Sequence, residues 1–536
     1  MRVPKPSLPI SNNSLLWARN LGETDLAKTL KMKISLQLFA TLIISILFFS
    51  VALAQDKADI ASIKYTEGLT KDKGQPELVY RTKAGKLIMV LNSKNTLTFQ
   101  EFDKNLKVLR EVALNCCHKE GNDAVTIIGL FEVEGDVAVL TEYKRGRGKK
   151  RTIYCTRIDG ESFQISVQPV KLVEFLLPKG ASPLEIEELK TPSNKFRLFI
   201  GALNKTETGK EFKFVLLSEN LKVVNKGQLN QEDIKYSTYR SVAVGEGNDL
   251  TIYIYEKYKK GKPAEIVHLW ISDNYFSKTI KLHEEEEVKR SIVGFSADKG
   301  VYIVGFYKSH NKRKKDGVYK IEYGEDSWSK PEYFEFDDNF YKSYFPGWFE
   351  MDKNEMRQIK KLNLNELTCL ELIVKNDKMI LLSEQQYTTS SSSSNGVRTY
   401  HPYYGYVIRF TLNEDMKLEN ASSILKESGV APTYYQYLEG SYYLLYWDHI
   451  NNYSGDNTKL ITKTFSRHSK TAKVLVFARM NNSGVVTRDK LTTMEDLGGF
   501  VNPSEVLHDK GLLWYAPTYG GSFYDQAYGT AKILGL

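Results

Sequence analysis

VKRSIVGFSADKGVYIVGFYKSHNKRKKDGVYKIEYGEDSWSKPEYFEF, residues 288–336, reads as four short strands joined by three turns. Ser291–Ser296 is the first, and a tight turn at Asp298-Lys299-Gly300 leads into Val301–Tyr307. A basic loop precedes Gly317–Tyr323, and the turn Gly324-Glu325-Asp326-Ser327 opens a last strand, Trp328–Phe336. Val301, Ile303 and Gly305 alternate with Tyr302, Val304 and Phe306, so both parities are apolar. A strand of that kind is covered on both faces.

The same unit recurs outward in both directions. A turn of Gly, Asp, Asn or Lys followed at once by a dense apolar strand is found at Gly85-Lys86 with Leu87–Leu91, Gly135-Asp136 with Val137–Leu140, and Asn194-Lys195 with Phe196–Ile200. It returns at Asn248-Asp249 with Leu250–Tyr255, Lys299-Gly300 with Val301–Tyr307, and Asp377-Lys378 with Met379–Leu382. Glu439-Gly440 with Tyr442–Trp447 and Lys510-Gly511 with Leu512–Tyr515 complete eight units. A second marker falls late in the unit, where Asp103–Lys107, Ser218–Lys222 and Asn413–Lys417 carry the Asx-rich chemistry of a hairpin turn.

A four-stranded antiparallel unit cannot bury both faces alone, and stacking such units radially gives a ring. Over residues 77–536 the chain resembles the β-propeller folds, all-β, with seven to eight four-stranded blades. The eighth unit supplies about three strands, and Ile60–Tyr65 is placed to fill its fourth position and close the ring. Two β-sandwiches are the competing arrangement. Gly324–Pro331 and, more faintly, Ser272–Phe276 resemble degraded Asp-box turns of sialidase-like propellers. The resemblance implies a structural turn; the Arg-Ile-Pro entry to the sialidase site is absent. Residues 339–365 interrupt the repeat with an aromatic segment and then a helical composition, and read as an insertion between the fifth and sixth units.

The N-terminus differs in kind. Lys31-Met32-Lys33, the apolar run Leu38–Phe49 and the small residues of Ala52-Leu53-Ala54 predict a secretory signal peptide over 32–54. Residues 1–31 read as a mis-called extension or a disordered segment, and 55–536 as one propeller domain in the periplasm or outside the cell. Cleavage after Ala54 removes six Lys/Arg and two Asp/Glu and lowers the formal charge from +9 to +5. That mild balance gives no reason to expect nucleic acid, and no later run is long enough for a membrane span. Four cysteines exclude a disulfide scaffold, although Cys117 with Cys155 is a possible bridge.

Function concentrates on one rim. In an up-and-down unit the second-to-third loops all leave from the same end, and here they are long and charged. Lys144, Arg145, Arg147, Lys149, Lys150 and Arg151 occupy one, and Lys312, Arg313, Lys314 and Lys315 another. The later loops of this class are aromatic, with Tyr400, Tyr403 and Tyr404 after a serine run, and Trp447 and His449 at the start of the next. Aromatic rings beside hydroxyls suit sugars or peptides. No phosphate loop, HExxH pair, GxSxG elbow or calcium loop is present, so no cofactor or metal is expected. The expectation is a non-catalytic exported propeller holding a protein or glycan partner on this rim. The alternatives are a carbohydrate-active, sialidase-like hydrolase with a carboxylate pair at the channel mouth, and a structural part of an envelope assembly.

Overall fold

The computed structural model describes residues 64–65, 74–93, 96–115, 124–145, 150–177, 184–193, 195–205, 210–230, 237–256, 264–271, 274–282, 286–296, 300–309, 316–324, 327–344, 366–375, 377–392, 398–424, 426, 432–450, 473–497, 499–501, 506–508, 514–520 and 531–535. Residues 60–536 form one compact unit. A two-residue strand, β1 (Lys64–Tyr65), opens the described chain.

Seven sheets of consecutive strands follow. Sheet 1 is β2 (Gln75–Arg81), β3 (Leu87–Ser93), β4 (Thr96–Phe102) and β5 (Val108–Asn115). Sheet 2 is β6 (Ala124–Val133), β7 (Asp136–Arg145), β8 (Lys150–Ile158) and β9 (Ile165–Leu176). Sheet 3 is β10 (Glu185–Lys190), β11 (Phe196–Lys205), β12 (Lys210–Ser218) and β13 (Val223–Asn230). Sheet 4 is β14 (Ser237–Val244), β15 (Leu250–Glu256), β16 (Ala264–Ile271) and β17 (Asn274–Ile280). Sheet 5 is β18 (Glu286–Ser296), β19 (Gly300–Ser309) and β20 (Gly317–Gly324), with β21 (Ser327–Trp328) and β22 (Glu332–Glu335) sharing the fourth place, and α1 (Asp338–Tyr344) follows it. Sheet 6 is β23 (Leu367–Lys375), β24 (Lys378–Ser392), β25 (Arg398–Asn413) and β26 (Leu418–Ile424). Sheet 7 is β27 (Tyr434–Leu438), β28 (Ser441–His449), β29 (Lys473–Met480) and β30 (Val486–Thr493), followed by α2 (Met494–Leu497).

The eighth sheet is made from both ends of the chain. β31 (Gly499–Val501) and β32 (Leu507–His508) pair with β33 (Trp514–Gly520), which pairs with β34 (Ala531–Gly535), and β1 closes the outer edge with Lys64 opposite Gly535 and Tyr65 opposite Leu534. This is the strand the sequence placed there; its expected residues 60–63 lie outside the described set.

Apolar clusters bridge each neighbouring pair of sheets and trace the ring. Ile88 and Phe99 of sheet 1 pack with Val137 and Val139 of sheet 2, and Leu140 and Ile153 of sheet 2 with Leu198 and Leu217 of sheet 3. Phe214 of sheet 3 meets Trp270 of sheet 4, and Val267 of sheet 4 meets Ile303 of sheet 5. Phe306 packs on Phe410 of sheet 6, Leu382 on Tyr442 of sheet 7, and Trp447 on Val501 of sheet 8. Leu507 of sheet 8 then packs against Val79 and Met89 of sheet 1. The first strands of successive sheets touch one another, whereas the fourth strand β5 is largely exposed. The first strands therefore surround the axis. This closed circle of like sheets is a β-propeller, and two separate sandwiches are excluded.

Turn chemistry explains the repeat. The first-to-second turns need left-handed backbone, supplied by Gly85, Gly135, Gly300 and Gly440 and by Asn248 and Asp377, all with positive φ. The third-to-fourth turns place an apolar residue in the same region: Leu106, Leu221 and Met416 have φ of 60°, 57° and 59° and point into the seams. Asp103 Oδ1 accepts from the Lys107 backbone N–H at 2.9 Å, and Asn413 Oδ1 from that of Lys417 at 2.8 Å. The Asx residue fixes the turn and the buried side chain offsets the backbone strain.

Two expectations need correction, and a third falls mostly outside the described residues. The strand expected over Trp328–Phe336 is broken, because Pro331 has no N–H for the ladder. The described helix of the insertion lies in its aromatic part, where Asp337 Oδ1 caps the Phe340 N–H at 2.7 Å and Phe340 stacks on Phe336; residues 345–365 are outside the described set. Cys155 carries a free, buried thiol in the seam between sheets 2 and 3 and is pushed up to about 12 by burial, so it forms no bridge; Cys117 lies outside the described residues. Among the described residues no helix is long and apolar enough to cross a membrane.

His268, buried on β16 with Nδ1 2.9 Å from the Tyr275 hydroxyl, makes the fold sensitive to acid. Burial holds its pKa down to about 4. The unfolded chain therefore binds the proton more tightly, and stability that is complete above the ordinary histidine value falls as pH drops through 6.5 toward 4. Roughly 2 kcal/mol of stability should be lost between pH 6.5 and 5 through this ring. Urea titrations at both pH values should show that difference shrinking in His268→Gln.

Candidate functional site

In sheets 1 to 7 the second and third strands are antiparallel neighbours, so the described strand ends that lead into their connections lie at one rim. In sheet 2 the hairpin of β7 and β8 places Lys144 opposite Arg151 and Arg145 opposite Lys150. Like charges opposed in this way repel, and two carboxylates answer them. Glu142 takes Lys144 at 2.9 Å and Arg151 at 3.0 Å. Glu174 takes Lys150 and Lys171, each at 2.8 Å, and these hydrogen bonds hold it down to about 2. The basic hairpin is thus partly neutralised by its own sheet, which the charge run alone did not reveal. Arg147, Lys149 and Lys312, Arg313, Lys314 and Lys315 lie outside the described residues.

Among the described strands β24 and β25 of sheet 6 are the longest. β23 pairs with β24 only as far as Leu367 opposite Gln385, and β26 leaves β25 at Ile424 opposite Val407. β24 and β25 continue as a two-stranded ribbon from Gln386 opposite Tyr404 to Ser392 opposite Arg398. At about 3.3 Å per residue the ribbon reaches about 20 Å beyond the sheet. Its register sets Tyr387 opposite Tyr403, Thr389 opposite His401 and Ser390 opposite Tyr400. The serine run is strand up to Ser392, so part of what reads as a loop is hydrogen-bonded hairpin.

A buried clamp fixes the base of this ribbon. A bulge between Glu384 and Gln386 bends the pair there, and Gly405 lets Gln385 approach where a Cβ would lie 2.3 Å from its Oε1. Glu384 and Lys426 are both fully buried side chains 2.9 Å apart. Glu384 Oε1 also accepts from the Thr433 N–H at 3.0 Å and its hydroxyl at 2.7 Å, while Oε2 accepts from Gln386 Nε2 at 3.0 Å. Lys426 Nζ lies 5.7 Å above the Tyr446 ring. Tyr404 sits half-buried above this group, its hydroxyl pushed up by burial and by Glu384.

Trp447 corrects the sequence reading. It is 1% exposed, lies in the seam between sheets 7 and 8, and donates from Nε1 to the Val501 carbonyl at 2.7 Å. An indole this deep is a packing residue and presents nothing at the rim. His449 is half-buried at the strand end, its backbone N–H bonded to Asp448 Oδ1 at 2.8 Å.

The axis holds a second constellation, absent from the sequence reading. β10 contributes Glu185, Glu187 and Glu188, and the start of sheet 6 contributes Glu366 and Glu371. Burial pushes Glu185 up to about 7, with Glu187 adding to the effect. Glu188 is raised by burial against the pull of Lys190, and Glu366 by burial against Arg290. Glu371 is raised by burial against the nearby Tyr442 hydroxyl and Lys190. Glu188 of sheet 3 in turn pushes Tyr434 of sheet 7 upward, after burial. Lys190 of sheet 3 acts on Glu371 of sheet 6, and Glu188 of sheet 3 on Tyr434 of sheet 7, through charge. Glu188 is nonetheless exposed, so solvent reaches it. In the sequence the cluster shows only as a first strand with the pattern Glu-Ile-Glu-Glu-Leu-Lys.

No protein-family profile and no curated protein matches the chain. Solved structures similar to it include the β-propeller domain of the trilobed protease from Pyrococcus furiosus, at 10% identity over 81% of this chain and 98% of that one, with a TM-score of 0.30. The polysaccharide lyase Uly1 is similar at 10% identity over 77% and 89% of the two chains, with a TM-score of 0.34. Porphyromonas gingivalis dipeptidyl peptidase 4 is similar at 8% identity over 85% of this chain and 59% of its own, with a TM-score of 0.37.

Proposed function

We propose that the protein is an exported binding propeller that captures a macromolecular partner, an envelope protein or glycan, on the rim of the second-to-third loops. The observation that carries the reading is the ribbon 386–404, held out from sheet 6 on a buried clamp and carrying Tyr387, Tyr400, Tyr403 and Tyr404. Tyrosines offer large contact area with little entropy to lose, and a rigid base makes that area ready for a partner. The basic stretches Lys144–Arg151 and Lys308–Lys315, which the sequence leads us to expect at the same rim, would add salt-dependent attraction.

The test is capture by the mature chain on an array of envelope glycans and envelope proteins. Replacing Tyr387, Tyr400 and Tyr403 together with Ser should weaken capture at least tenfold, roughly 1.4 kcal/mol, while the thermal midpoint stays within a few degrees. Replacing Lys149, Lys150, Arg151, Arg313, Lys314 and Lys315 with Ser should lower capture less and flatten its salt dependence. Unchanged capture in both sets rejects the reading.

The axial carboxyls favour a second reading, hydrolysis of a glycan, because Glu185 near 7 has the protonation a general acid needs. Turnover of chromogenic glycosides that disappears in Glu185→Gln would support it. No turnover by folded protein would dispose of it.

A further inference from the structure

The outer edges of the sheets are guarded by charge. The fourth strands β5, β9, β13, β17, β26 and β30 each carry Lys, Arg, Asp or Glu, as with Arg110 on β5, Lys171 on β9 and Arg488 on β30. Charge and proline on an edge keep another chain from adding to its open ladder. The ribbon of sheet 6 has two further edges, and they differ. On the β25 side, where β26 has stopped at Ile424, the edge carries Arg398, His401 and Pro402. On the β24 side, β23 has stopped at Leu367 opposite Gln385, and no strand among the described residues takes its place beside Thr388–Ser392. That stretch reads Thr-Thr-Ser-Ser-Ser. The sequence has neither charge nor proline from Gln385 to Val397, although 26% of the chain is charged.

We propose that two copies of the chain associate through this edge. β24 of one ribbon adds antiparallel to β24 of the other about a two-fold axis, and two ribbons become one four-stranded sheet. Three observations favour a second copy over a free peptide. The edge is already extended, held by β25 from Gln386 opposite Tyr404 to Ser392 opposite Arg398 and anchored by the Glu384–Lys426 pair. Pairing two such edges costs little order, whereas a free peptide gives up backbone entropy at every residue. The stretch is also self-complementary. With Ser390 on the two-fold axis, Thr389 stands opposite Ser391 of the second copy and Thr388 opposite its Ser392, so no like charges oppose one another. Finally, the chain is basic, with a formal net charge of +9, and two basic copies approach at least cost where both are uncharged. Edge pairing leaves the two faces of the ribbon open, and it does not rest on the rim reading.

The test is sedimentation equilibrium of the mature chain alone, from about 1 to about 200 µM, with no captured molecule present. The dimer fraction should rise with concentration. A variant carrying Thr389→Lys with Ser391→Lys should associate about tenfold or more weakly, and so should one carrying Thr389→Glu with Ser391→Glu, because each sets like charges across the two-fold axis. An equimolar mixture of the two variants should dimerise at least as tightly as the parent, since opposite charges then face one another. Circular dichroism checks that both variants are folded. A parent that stays monomeric over the whole range would overturn the proposal and leave the edge to another occupant, such as an extended segment of the captured molecule. A dimer that both variants retain, or a mixture that stays monomeric, would overturn it as well. Capture on the array is measured separately. Loss of the dimer with capture intact sinks this inference alone, and a dimer without capture sinks the rim reading alone.

Discussion

Lys426→Met should cost about 3–5 kcal/mol of stability at pH 7, the loss expected when one partner of a buried ion pair is removed. Methionine nearly conserves the volume, so the cost isolates charge. Glu384 would remain wholly buried with only Thr433 and Gln386 to satisfy it. The double variant Lys426→Met with Glu384→Gln should recover most of the loss, because a neutral amide needs no counter-ion. Urea titration of the single and double variants measures this directly. Equal instability of the two would show that Lys426 contributes packing rather than charge. Because the clamp ties Lys426 and Thr433 to the ribbon base, the single variant should also lose capture that the double variant partly regains.

Trp447→Ala should remove about 3–5 kcal/mol, the usual cost of deleting a buried aromatic ring. The seam it fills joins sheet 7 to the composite eighth sheet, which contains strands from both ends of the chain. Trp447→Phe keeps most of the ring but strands the Val501 carbonyl, and should cost about 1–3 kcal/mol. Denaturant midpoints order the series. A folded Trp447→Phe protein should capture partner as well as the parent; reduced capture at full stability would return Trp447 to the binding surface.

The repeat was legible because it is local. Positive φ at Gly85, Gly135, Gly300 and Gly440 and the Asx turns at Asp103 and Asn413 are written in consecutive residues. The ring's closure was legible for the same kind of reason, a count of strands with one place vacant. What remained hidden depends on distance along the chain. Glu384 and Lys426 are separated by 42 residues, and Glu188 acts on Tyr434 from a sheet far along the chain. No spacing rule connects them. Trp447 was misread because a loop-adjacent aromatic looks the same in sequence whether it points outward or into the next sheet. The basic hairpin at 144–151 was read correctly as a charge run, but its neutralisation by Glu142 and Glu174 needed the register.

Both functional readings depend on a closed ring, since closure is what would bring the ribbon and the basic stretches to one rim and what brings the first strands to one axis. The direct measurement is oxidation of a chain carrying Tyr65→Cys and Leu534→Cys, residues opposite one another in the closing pair. Peptide mapping should find a disulfide joining them in nearly all of the protein, with a raised thermal midpoint. Free thiols at both positions under oxidising conditions, in protein that is otherwise folded, would contradict the ring and with it the shared rim.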